Sequence, residues 1–146
     1  MVEIPIFIAP RYVPPMRRML EIPFNGTVTV PAPDQTIVSD LIDFDFIVRM
    51  ITVDFASDHN DLVQHWFLLS HNVNVGTTAP PPDENILGRI SSTGFVIGDN
   101  REKRFYPNVL YTGRKNFIKM HIFNGTTYTV RVKATVLIEE VKLEES

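Results

Sequence analysis

The sequence predicts an all-β fold: an antiparallel β-sandwich, jelly-roll-like, carrying an extended proline-rich N-terminal arm. Three observations lead there. About eight short runs are apolar on alternate residues or throughout, and turn residues separate them. No segment sustains a helical period with caps at its ends. Seven of the eleven prolines fall within residues 1–33, where missing N–H groups and fixed φ angles exclude a helix or a central strand.

A chain of 146 residues is long enough for one domain that buries roughly 70% of its unfolded surface. The expected division is an arm over residues 1–22, a β-sandwich over 23–141 and an acidic tail over 142–146. With no cysteine, disulfides, thiolate metal sites and cysteine nucleophiles are excluded. MVEIPIFIAP lacks the basic start of a signal peptide, and no run approaches the ~20 apolar residues of a membrane span. A soluble protein is expected, cytosolic or part of an assembly. The net charge of −3 is unevenly spread: Asp34 to Asp61 holds seven acidic residues and one basic, whereas Arg101 to Lys133 holds eight basic and one acidic. Such a split suits either solvated strand faces or surfaces that meet opposite charge on a neighbour.

Taken in order, the arm mixes its prolines with Ile4, Ile6, Phe7, Ile8, Tyr12, Val13, Met16, Met19 and Leu20. A stiff, extended, apolar segment of this kind needs a surface to lie on, in its own domain or a neighbour's. Arg11, Arg17 and Arg18 add cations that can meet carboxylates there. Phe24 to Val30 reads as a turn and a short strand; its FNGT recurs at 123–126. Between 37 and 55 the apolar parity switches at Met50–Ile51, which predicts a β-bulge, a strand break or burial of both faces there. Ala56 to Asp61 is a polar loop. Leu62 to Ser70 is apolar on both faces, as a central strand would be, and Trp66 should pack in or beside the core. Residues 71–84 form a long loop, 83–85 could make one helical turn, and 86–90 and 94–97 are short strand candidates. Residues 98–102 form a turn, and Pro107 confines 105–111 to a sheet edge.

The most regular stretch is NFIKMHIFNGTTYTVRVKATVLI, residues 116–138. It reads as a long hairpin. Side-chain parity favours a three-residue loop, Asn124 to Thr126, that sets Ile122 against Tyr128 and Met120 against Val130, with Gly125 or a neighbour at positive φ. Ile118, Met120, Ile122, Tyr128, Val130 and Val132 would then form a core wall. Lys119, Arg131 and Lys133 would share a basic outer face with His121.

Chemistry-bearing patterns are sparse. His59, His65 and His71 are spaced unlike any compact metal motif, and His65 lies in an apolar strand. Asp54, Asp58, Asn60 and Asp61 lack the glycine and terminal glutamate of an EF-hand, so local turn bonds explain them better than calcium. Asp43 and Asp45 share a strand face without the setting of a glycosidase pair. Ser70–His71 offers no triad geometry. Arg101, Lys103, Arg104, Arg114, Lys115, Lys119, Arg131 and Lys133 could line a nucleic-acid surface, but a pI near 5.8 opposes it. No catalytic activity, cofactor or membrane association is expected.

The segments VRMITVDFASDHNDLVQHWFLLSHN and FIKMHIFNGTTYTVRVKATV, within a cysteine-free all-β domain bearing an apolar arm, resemble small jelly-roll or β-sandwich virion proteins. They resemble in particular the auxiliary, or decoration, proteins of tailed-bacteriophage capsids. The resemblance spans residues 22–138 and lies in pattern rather than motif. It implies a non-enzymatic structural component of a virion, assembled in the host cytoplasm. Such proteins are often trimeric and contact partners such as a major capsid protein. The subunit-contact candidates are Ile6, Phe7, Arg11, Tyr12, Arg17, Arg18, Lys119, Arg131 and Lys133. The alternative is a receptor- or carbohydrate-binding module of a phage tail, with Trp66, Tyr106 and Tyr111 as stacking residues.

Overall fold

The computed structural model describes residues 18–29, 34–71, 84–88, 90–91, 93–112 and 116–141. The described residues form nine strands: β1 Met19–Val28, β2 Asp34–Val38, β3 Phe46–Phe55, β4 Val63–Ser70, β5 Glu84–Asn85, β6 Arg101–Phe105, β7 Val109–Tyr111, β8 Phe117–Asn124 and β9 Val130–Glu140. One sheet has the order β1-β9-β3-β6, with β7 also on β3; the other has the order β2-β8-β4-β5. Every strand pair is antiparallel. β6 and β7 are successive parts of one edge, split around Pro107 and by Asn108 at φ 51°. Taken as one strand, they complete two sheets of four in the interleaved order of a jelly roll.

The alternation in the sequence builds the core. Phe46, Val48, Ile51, Val53 and Phe55 of β3 and Val130, Val132, Ala134, Val136 and Ile138 of β9 are buried from one sheet; Val63, Phe67 and Leu69 of β4 and Ile118, Met120 and Ile122 of β8 are buried from the other. Phe24 meets Phe67 edge-on across the sandwich, centroids 6.4 Å apart. The parity switch is a bulge: the β3–β9 register shifts between Val48 and Met50. The extra residue, Arg49, turns outward to Glu139, Nε to Oε1 2.8 Å. β4 is central, as its two apolar faces require.

The long hairpin is not formed. β8 pairs with β2 and β4, whereas β9 pairs with β1 and β3, so the two runs lie in opposite sheets and face each other through the core. Alternation places one face of each run inward; it is satisfied as well across a sandwich as along a hairpin. Asn124 makes the crossing. Its Nδ2 donates to the carbonyls of Val28 (3.1 Å) and Tyr128 (2.8 Å), and its Oδ1 accepts from Thr126 N (2.9 Å) and Thr126 Oγ1 (2.6 Å). Gly125 does not have a positive φ. It is required because a Cβ there would sit 2.7 Å from the Leu62 carbonyl oxygen, to which Gly125 N donates at 2.9 Å. Tyr128 is 39% exposed rather than part of the core wall.

Other expectations are also corrected. β1 begins at Met19, so residues 19–22 belong to the sandwich and not to the arm. Asn25 and Gly26 lie inside β1 rather than in a turn. Glu84–Asn85 is a strand, not a helical turn. Residues 86–88 form a turn, and in 94–97 Val96 alone bridges, to His65.

Candidate functional site

The basic face expected on the hairpin does not exist. Lys119 lies on β8 between Val38 and Leu68 and is buried, while Arg131 and Lys133 are exposed on the other sheet. Arg131 and Lys133 line an open depression with Asn25, Thr27 and Asp54, so acid and base interleave there. The wider set of cations does not form one surface either. Arg104 pairs with Glu102 at 3.2 Å, and Lys103 donates to the Ile97 carbonyl at 3.0 Å while lying over the Phe55 ring. Arg114 and Lys115 lie outside the described residues, as do Ile6, Phe7, Arg11, Tyr12, Arg17 and His71's neighbours from 72 to 83. Arg18 is described. Its Nε donates to Glu140 Oε1 at 2.9 Å, its guanidinium stands 5.1 Å over the Phe44 ring, and its carbonyl accepts from Glu140 N at 2.8 Å.

Two histidines expected in different settings meet at one end of the core. His59 and His65 are both fully buried, ring centroids 6.0 Å apart, and each stands edge-on to Phe55. His59 Nε2 lies 2.8 Å from the Arg131 carbonyl and His65 Nδ1 lies 3.3 Å from that of Val63. A carbonyl only accepts, so these nitrogens carry the protons. The other two, His59 Nδ1 and His65 Nε2, therefore present lone pairs, and neither has a hydrogen-bond partner among the described residues. Burial, reinforced by His59, lowers the His65 pKa to about 3 against an opposing bond to Val63. The strand alternation Val63-His65-Phe67 points to His65 as inward; nothing in the polar loop signals the burial of His59.

A second polar cluster crosses the outer face of the β2-β8-β4 sheet. His121 Nε2 lies 3.0 Å from Asp34 Oδ1, and His121 Nδ1 lies 2.7 Å from Thr36 Oγ1. Nε2–H donates to the carboxylate, leaving Nδ1 to accept from the threonine hydroxyl. Hydroxyl, imidazole and carboxylate thus stand in the order of a nucleophile, base and orienting acid. The ring is fully buried and caps Trp66, which in turn packs on Phe95. Burial lowers the His121 pKa while Asp34 opposes the shift by hydrogen bond and charge. Thr36 and His121 are register partners, so the network ties edge strand β2 to β8.

The acidic loop is a locally bonded turn. Asn60 and Asp61 have φ of 50° and 59°; Asn60 N donates to Asp99 Oδ1 at 3.0 Å, and Asn60 Nδ2 donates to Tyr128 Oη at 2.7 Å. Tyr128 Oη in turn donates to the Asp58 carbonyl. Among the described residues no three side chains are grouped to hold a metal ion. The proposed stacking residues are dispersed: Trp66 is half-buried on one sheet, while on the other Tyr111 is buried against Phe46 and Tyr106 is 58% exposed. No helix among the described residues is long and apolar enough to cross a membrane.

The feature that the sequence does not anticipate is a groove of about 230 Å³ along the free edge of β1. Leu20, Ile22 and Ile138 form one wall and Leu41, Ile42 and Phe44 the other. Leu20, Ile22 and Phe44 are only partly covered, and Leu41 is 48% exposed. Here the groove lies between β1 and the 39–45 connection, which spans from one sheet to the other.

No family model and no curated protein matches the chain. Among solved structures, it is similar to a chain in the structure of the infectious bursal disease virus Gt strain, with 14% identity and a TM-score of 0.45 over 94% of this chain and 36% of that one. The present chain therefore spans little more than a third of the length of that chain.

Proposed function

We propose that the chain is a non-enzymatic structural component of a virus particle, a capsid decoration, auxiliary or minor capsid protein, working through contacts with its own copies and with a lattice. The observation that carries this reading is the union of a jelly roll, an architecture used by viral capsid domains, with an apolar arm that leaves the sandwich beside an open apolar groove. The polar clusters serve the fold in this reading. Asp34, Thr36 and His121 satisfy one another and hold β2 in place, while the His59–His65 pair lies sealed in the core. A homo-oligomer, with a trimer favoured, fits an arm that fastens one copy to the next, and a major capsid protein is the second partner.

Light scattering over a wide concentration range, joined with electron microscopy of the purified protein, tests this reading. A discrete oligomer or regular array is the expected result. A monomer at every concentration, with no binding to particles of the virus that encodes it, would overturn it.

A further inference from the structure

We propose that the groove along the β1 edge of one copy receives the arm, residues 1–17, of a second copy. This rests on the assembly reading above and specifies where the arm docks.

Four observations point to that occupant. The groove is apolar, and the arm supplies Ile4, Ile6, Phe7, Ile8, Tyr12 and Val13. Its described lining carries two carboxylates, Glu21 and Asp40; the arm brings Arg11 and Arg17. Among the described residues β1 is an edge strand whose outer side no other strand pairs, and an extended segment is the shape that such an edge accepts. The arm's exit is fixed, because Arg18 is held through its side chain and its carbonyl to Glu140 and over Phe44, itself a groove residue.

Reach and direction favour a second copy over the arm's own domain. An extended arm of this length covers about 55 Å, whereas a domain of this size has a radius of gyration of about 15 Å. Entry into its own groove would demand a reversal close to Arg18. There Pro14 and Pro15 restrict φ and favour an extended path for Val13 and Pro14. In the neighbour's groove, the ring of Phe7 or the side chain of an isoleucine would fill the lateral opening over Leu20, Ile22 and Leu41, closing a core that is otherwise unfinished.

The chain has no cysteine, so introduced pairs report unambiguously. Phe7→Cys and Leu41→Cys are made as separate full-length variants, mixed and oxidised mildly, and the double variant is oxidised at low concentration. A disulfide-linked dimer joining position 7 of one chain to position 41 of another is expected, with ladders from the double variant. A link formed only within single chains would overturn the proposal, giving the groove to the arm of its own copy. Absence of the link in a protein that still sizes as an oligomer would overturn the docking place and leave the assembly reading standing. A full-length chain that is monomeric throughout would remove both. As an arm independent of the thiols, Glu21→Lys with Asp40→Lys should weaken association at least about threefold per reversed charge. Arg11→Glu with Arg17→Glu should restore it; charge reversal without effect counts against the proposed seat.

Discussion

The same four residues, Phe-Asn-Gly-Thr, occur at 24–27 and at 123–126, and the fold uses them in opposite ways. In β1 they run straight through a strand: Asn25 is exposed opposite Lys133, and Gly26 lies opposite Val132. At 123–126 they end β8 and carry the chain into the other sheet, with Asn124 buried and all of its amide valences filled. The glycines differ as well. A Cβ at Gly125 would meet the Leu62 carbonyl at 2.7 Å, whereas one at Gly26 would meet the Cδ1 of Ile37 at 2.9 Å, the movable end of a side chain. Local sequence permits both courses; the surroundings of the asparagine decide between them.

This contrast can be broken by substitution. Asn124→Ala should cost about 3 kcal/mol, because buried carbonyl and N–H groups lose their partners, while Asn25→Ala should stay within about 0.5 kcal/mol. Urea melts of the two variants provide the comparison, and equal losses would refute the assigned roles. Gly125→Ala should cost about 2 kcal/mol through a clash with fixed backbone. Gly26→Ala should change stability by less than about 1 kcal/mol, since Ile37 can move and a strand glycine is intrinsically unfavourable.

A buried polar group with empty valences should behave differently from the saturated Asn124, and His65 provides that case. Its folded pKa, near 3, lies below the ordinary 6.5, so in between the unfolded chain binds the extra proton. Stability is therefore full above about pH 6.5 and falls by about 1.4 kcal/mol per unit as the pH drops toward 3. The direction of the His121 shift adds to the same trend. Between pH 7 and pH 5 His65 alone should account for a loss of about 2 kcal/mol, and His65→Leu should flatten that slope in thermal melts. A smaller effect than that of His65 belongs to Tyr128→Phe. Removal of an exposed hydroxyl that ties Asp58 to Asn60 should cost about 1 kcal/mol and loosen hydrogen exchange in 58–61.

The architecture was legible where one residue's environment follows from its neighbours. Alternation located β4, β8 and β9, the parity switch at Met50–Ile51 pointed to an irregularity that the fold realises as a bulge at Arg49, and Pro107 marked the break between β6 and β7. Partner choice was not legible. The parity of 118–122 and 130–138 is equally satisfied by pairing within one sheet and by facing across a core; the bonds of Asn124 to Val28 and Tyr128 belong to the second arrangement. The expected basic patch failed for the same reason: once the two strands part, Lys119 cannot stand beside Arg131 and Lys133. The arm's apolar character could be read directly. Its seat could not, because the groove is made of Leu20 and Ile22 from β1 and Leu41 and Phe44 from the 39–45 connection, whose approach is a property of the closed sandwich.

The most direct test is the solution mass of the full chain beside that of a chain beginning at Arg18, both shown to be folded by circular dichroism and melting. The full chain should sediment as an oligomer, and its truncated form should sediment as a monomer with the β-sandwich spectrum intact. Identical masses and identical melting for the two would contradict an arm that joins copies.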